Sequence, residues 1–137
     1  MSMNSIKQYK QVERLTSPAR ETEARVLTEG AVRLQRCREN WDNDDRSENL
    51  DEALRYNQRL WSVLQAALLS PDCPLPDGLR RDILTLSAFI DRQIFRAMAN
   101  PSPELLKPII DINRGLAEGL RAKPRRNGTV HPIAVKR

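Results

Sequence analysis

A chain of 137 residues, 39% hydrophobic but only 4% aromatic, has room for about one domain. Its core must be built from Leu, Ile, Val and Ala, which favours helices over a sheet sandwich. The formal charge of +5 argues for a nucleic-acid surface only if it lies on the folded body, and it does not.

Residues 121–137 hold Arg121, Lys123, Arg125, Arg126, Lys136 and Arg137 and no acid. Without those six, the first 120 residues carry 17 bases and 18 acids, a net of −1. Attraction to RNA or an anionic surface would have to lean on that end. No stretch approaches the roughly 20 apolar residues of a membrane span. The two cysteines, Cys37 and Cys73, and the one histidine, His131, lack metal-ligand spacing.

In chain order, residues 1–16 are polar and lack the apolar run of a signal peptide. They read as an N-terminal arm of a cytoplasmic protein with reduced thiols, although spacing alone leaves a Cys37–Cys73 disulfide open. Ser17-Pro18 supplies an N-cap and a proline at the first helical position. From there Ala24, Leu27, Ala31 and Leu34 recur at helical spacing to about Asn40.

The run NWDNDDRS breaks the pattern. Its Asp42, Asp44 and Asp45 resemble a calcium loop in composition only, because Arg46 and Ser47 stand where such a loop needs its glycine. Ser47 then caps a second helix to about Leu69. Pro71, Pro74 and Pro76 prevent its continuation.

Asp77 caps a third helix with Leu79, Ile83, Leu86, Ile90, Ile94 and Ala97 on one face, ended by Asn100-Pro101. Ser102-Pro103 opens a fourth helix to about Leu120. No two-residue alternation supports a strand. The expectation is all-α: a compact bundle of about four helices over 17–121, with the arm before it and a disordered basic tail at 122–137.

Two positions break the apolar stripes. With about 100° per residue, Leu50, Ala53, Leu54, Leu60, Trp61, Leu64 and Leu68 cluster within about 60° of Asn57. Leu106, Ile109, Ile110, Leu116, Ala117 and Leu120 surround Asn113 in the same way. A buried amide without partners costs about 1–3 kcal/mol. Asn57 and Asn113 therefore either bond each other or backbone groups and fix register, or face a groove that receives a partner.

Trp61 shares the arc and reads as core. Trp41, in the polar break, reads equally as a cover for the bundle end or an exposed anchor. Tyr56 and Arg59 flank the stripe as rim positions. Catalysis finds little support. His131 lies in the tail beside Pro132, far from either cysteine, and the glycines form no phosphate loop. The sequence calls for no catalytic, cofactor or metal residues.

From about residue 9 to 121 the chain resembles the FlaF family of flagellar biosynthesis regulators of alphaproteobacteria. The resemblance begins with Tyr9, Gln11, Val12 and the run from Leu15-Thr16-Ser17-Pro18 to Arg25. It is densest over Leu50-Asp51-Glu52-Ala53-Leu54-Arg55-Tyr56-Asn57-Gln58-Arg59-Leu60-Trp61. It continues through Leu75-Pro76 and Leu79-Arg80, and closes on Ile110-Asp111-Ile112-Asn113-Arg114-Gly115-Leu116 with Gly119-Leu120. The segment after Arg121 departs from the pattern.

The resemblance implies a non-enzymatic helical protein needed for making flagellin filaments, acting alongside FlbT, a regulator of flagellin translation. It implies either a chaperone-like partner that takes flagellin's amphipathic segments, or a regulator of flagellin translation acting through FlbT or on flagellin mRNA. RNA contact would fall to the basic tail. A self-associating adaptor is a third option, and the oligomeric state is open. The positions expected to touch a partner are Trp41, Tyr56, Arg59, Asp111 and Arg114.

Overall fold

Prolines and short polar turns cut the apolar periodicity into four helices. The computed structural model describes residues 18–122, with side chains from residue 21 onward. Helix α1 spans Pro18–Glu39, α2 Arg46–Leu69, α3 Asp77–Ala99 and α4 Pro103–Arg121. The expected arm at 1–16, the Ser17 cap and the tail beyond Ala122 lie outside the described residues. Cys37 and Cys73 are both free thiols.

Consecutive helices run antiparallel. Along α1 and α2, Val26 meets Tyr56 and Arg33 meets Glu52. Between α2 and α3, the Arg80 guanidinium donates to the Leu68 carbonyl and Gln65 to the Asp91 carboxylate. The first of these places a cation on the exposed carbonyls of a helix end. Helix α4 returns along α1, so that Arg121 meets Glu21. The result is an up-down-up-down ring in which α1 and α4 form the most extensive pair. Ala24, Ala31 and Ala117, all buried, remove bulk at that seam.

The core is aliphatic, with Leu27, Leu34, Leu54, Ile90, Ile94, Leu106, Ile109 and Ile110 fully enclosed around one aromatic ring, Trp61. The four apolar residues expected on α1 are all buried, as are most of those flanking Asn57 and Asn113, whereas Leu64 and Leu120 are half-buried.

The helix starts differ slightly from the sequence reading. Helix α2 begins at Arg46 with Asp45 as its N-cap, not Ser47. Pro76 occupies the cap of α3, with Asp77 inside the first turn. Backbone bonds from Asn49 to Asp45 and from Arg80 to Pro76 close these first turns without side-chain caps. Ser102 does sit at the N-cap of α4, but its hydroxyl donates to Glu104 at 2.7 Å and accepts no capping bond from a backbone N–H. That bond lowers the carboxyl pKa of Glu104.

On α3, Leu79 and Leu86 are only half-buried, and Ser87 and Gln93 are buried instead. Each polar group is satisfied locally. Ser87 donates to the Leu84 carbonyl at 2.8 Å and Gln93 to the Leu105 carbonyl of α4 at 3.1 Å. Pro108 lies inside α4, where it removes one backbone donor. The helix continues because Leu106, Ile109 and Ile110 on either side of it are locked into the core.

Adjacent residues on α3 test this orientation. Ile94 is 1% exposed and Phe95 73%. In urea unfolding, Ile94→Ala is expected to cost about 2–4 kcal/mol and Phe95→Ala less than about 0.5 kcal/mol. Equal losses would show that α3 is rotated from this position.

Candidate functional site

The apolar stripes of α2 and α4 meet at their two polar residues. Asn113 Nδ2 donates to Asn57 Oδ1 at 2.7 Å and to the Leu27 carbonyl of α1 at 3.2 Å. Asn57 Nδ2 donates to the Gly30 carbonyl of α1 at 3.1 Å and to its own helix at Ala53, 2.9 Å. Trp61 Nε1 donates to Asn113 Oδ1 at 2.9 Å. Both amides are 0% exposed, yet all four of their N–H groups, both their oxygens and the indole N–H are engaged. Among the described residues a different group, Arg38 Nε, is the buried side-chain nitrogen without a partner.

This arrangement requires α1 to pass very close to the amides. A Cβ placed on Gly30 would lie 2.6 Å from Asn57 Oδ1, 2.8 Å from Asn113 Nδ2 and 2.9 Å from Leu60 Cδ2. A glycine in the middle of a helix normally weakens it by about 1 kcal/mol relative to alanine. Here its missing side chain is the space into which the amides fit. The role of Gly30 went unread in the sequence, although a glycine at the centre of an otherwise periodic helix was a signal that could have found it.

The positions expected to touch a partner do not form one groove. Tyr56 lies on the α1 side of α2. Its hydroxyl donates to the Val26 carbonyl at 3.4 Å, and Arg33 of α1 stacks over its ring at 4.2 Å. Trp41, in the α1–α2 turn, is half-buried against the core with Arg46 stacked over it at 4.7 Å. It covers the bundle end while leaving an edge exposed. Arg59 is exposed on α2.

Asp111 and Arg114 are exposed on α4, where Lys107 pairs with Asp111 at 2.7 Å. Arg114 shares its stripe with Arg121, seven residues on, and Arg121 bonds Glu21 and Thr28 of α1. Tyr56 and Arg114 therefore flank α1 from opposite sides.

Arg33 and Arg46, which stack on Tyr56 and Trp41, both line an open cleft of about 370 Å³ between α1 and α2, together with Glu29, Arg36, Cys37 and Glu52. The cleft is polar. Burial, aided by the negative charge of Glu52, pushes the Cys37 thiol up from its usual pKa and away from the thiolate a nucleophile needs. No group of three potential metal ligands occurs among the described residues. No helix among them is long and apolar enough to cross a membrane.

A family model described as flagellar protein FlaF matches residues 5–120. The chain belongs to the FlaF family of flagellar proteins. The match begins a few residues before the resemblance read from residue 9, and it ends where α4 ends. No curated protein and no solved structure matches the chain.

Two sets of variants probe the amide site. Gly30→Ala, stabilising in an ordinary helix by about 1 kcal/mol, is expected to lower the thermal midpoint. A raised midpoint would mean that α1 is not pressed onto the amides. Asn113→Leu strands the Trp61 N–H and is expected to cost about 3 kcal/mol in chemical unfolding. Adding Trp61→Phe removes the stranded donor, so the double variant should cost less than the sum of the two single changes. Strict additivity would contradict the shared bond.

Proposed function

We propose that this protein is non-enzymatic and supports flagellin synthesis or secretion by binding flagellin as a chaperone-like helical partner. Family membership supports the flagellar role. The observation that carries the binding mode is an uncovered apolar edge between α1 and α2. Val26 is 39% and Val63 70% exposed. Tyr56, whose hydroxyl reaches Val26, lies two helical turns from Val63 on the same stripe of α2.

Arg59, on the next turn, gives the edge an exposed cation at its rim. An amphipathic segment laid along it by its apolar face would cover the valines and keep its polar face wet. The amide network serves this arrangement as a register lock, holding α1 and α2 at one axial offset so that Val26, Tyr56 and Val63 stay aligned.

Calorimetric titration with monomeric flagellin tests the reading. Saturable binding is expected, weakened at least tenfold by Val63→Asp and by Arg59→Glu, with the circular-dichroism melt of each variant unchanged. Affinity unaltered in both variants would overturn the placement on this edge. No heat at two temperatures would overturn flagellin as ligand and favour FlbT or flagellin mRNA.

A further inference from the structure

The exposed face of α3 carries a second, separate feature. Phe95 is the most exposed large apolar side chain among the described residues, at 73%, and Met98, three residues on, is also exposed. Ala88 and Ala99 lie on the same stripe and are likewise open to solvent. Beside this stripe stand Arg81, Arg92 and Arg96, all exposed.

Arg33, Arg55 and Arg121 on the other helices are matched by Glu29 and Glu52, Asp51 and Glu21, and Arg80 on α3 by Asp77, whereas Arg36, Arg59 and Arg114 are exposed and form no ion pair among the described residues. Arg81, Arg92 and Arg96 pair with no acid among the described residues. The nearest acid toward the Phe95 side, Asp91, is turned to α2, where its carboxylate accepts from Gln65 at 2.8 Å. Asp82, one residue after Arg81, lies about 100° further round the helix toward the core and is half-buried.

We propose that this face of α3 docks an acidic amphipathic helical segment of a partner protein. Phe95 and Met98 would enter its apolar stripe, and carboxylates along one flank would pair with Arg81, Arg92 and Arg96. The dimensions suit such a segment. Arg81 to Arg96 spans about 22 Å at the helical rise, so the three guanidiniums match acids spread over about four turns.

An exposed aromatic bordered by arginines is also the kind of anchor that dominates interface energetics. Charge complementarity favours an acidic protein over RNA. The first 120 residues sum to −1, so no broad positive field surrounds the arginines, and Phe95 and the half-buried Phe89 stand about 120° apart around α3, which makes a poor platform for successive stacked bases. Helix α3 packs between α2 and α4 rather than on α1. The face is thus distinct from the α1–α2 edge and could be occupied at the same time.

The test uses the full chain labelled with 15N and a synthetic 18-residue helical peptide with leucines on one face and glutamates on the flanks. Amide shifts confined to α3 are expected to saturate in the micromolar range. Phe95→Ser should weaken binding at least tenfold without changing the melt. The double change Arg92→Glu with Arg96→Glu should abolish binding and create affinity for the same peptide with lysine flanks.

Shifts centred elsewhere, no saturation, or an affinity untouched by Phe95→Ser would overturn the proposal. A uridine oligonucleotide that displaces the peptide from α3 at physiological salt would overturn it in favour of an RNA surface.

Discussion

One set of hydrogen bonds constrains this fold more than any other. Two asparagines and a tryptophan, drawn from two helices at opposite corners of the bundle, bond one another and two carbonyls of a third helix. Apolar packing alone tolerates sliding and repacking at modest cost. A buried amide does not, because each donor displaced from its acceptor by a helical step costs about 1–3 kcal/mol. The arrangement also dictates sequence at a distance: it leaves no room for a Cβ at Gly30, and it requires the indole of Trp61 to point inward although the residue is otherwise pure core.

Much of this was legible in the sequence, for physical reasons. The stripes of α1, α2 and α4 repeat at the helical period, and prolines mark the breaks, so helix number and most buried positions follow from periodicity. Asn57 and Asn113 stand out because each sits at the centre of such a stripe. What periodicity cannot give is depth. Leu79 and Leu86 have the right phase on α3 but are half-covered, while Ser87 and Gln93, polar by composition, are buried because each finds a carbonyl.

The positions expected to face a partner were harder to place. Tyr56 and Arg114 look alike on their own helical wheels, yet α1 lies between them. Which helix occupies which corner is set by pairings such as Val26 with Tyr56 and Glu21 with Arg121, which connect residues far apart in sequence. The exposed Val63 was hard to see because an apolar residue just off the buried arc looks like part of a wide stripe, whereas Phe95 stands about 140° from the centre of the α3 stripe and was legible as an outlier.

A closed, satisfied interior moves function to the outside. The core offers no polar group seeking a ligand at the asparagines, and in the α1–α2 cleft Arg33 is held between Glu29 and Glu52. Apart from Leu69 at the end of α2, the exposed large apolar side chains among the described residues fall on two edges, one beside Tyr56 and one at Phe95.

Native-state hydrogen exchange of the Asn57 and Asn113 side-chain amide protons tests that central claim most directly. If the network holds the three helices together, these protons exchange only through global unfolding, with the full dependence on denaturant shown by core backbone amides. Exchange that is fast, or independent of denaturant, would mean that the amides open locally while the bundle stays folded, and would contradict the account.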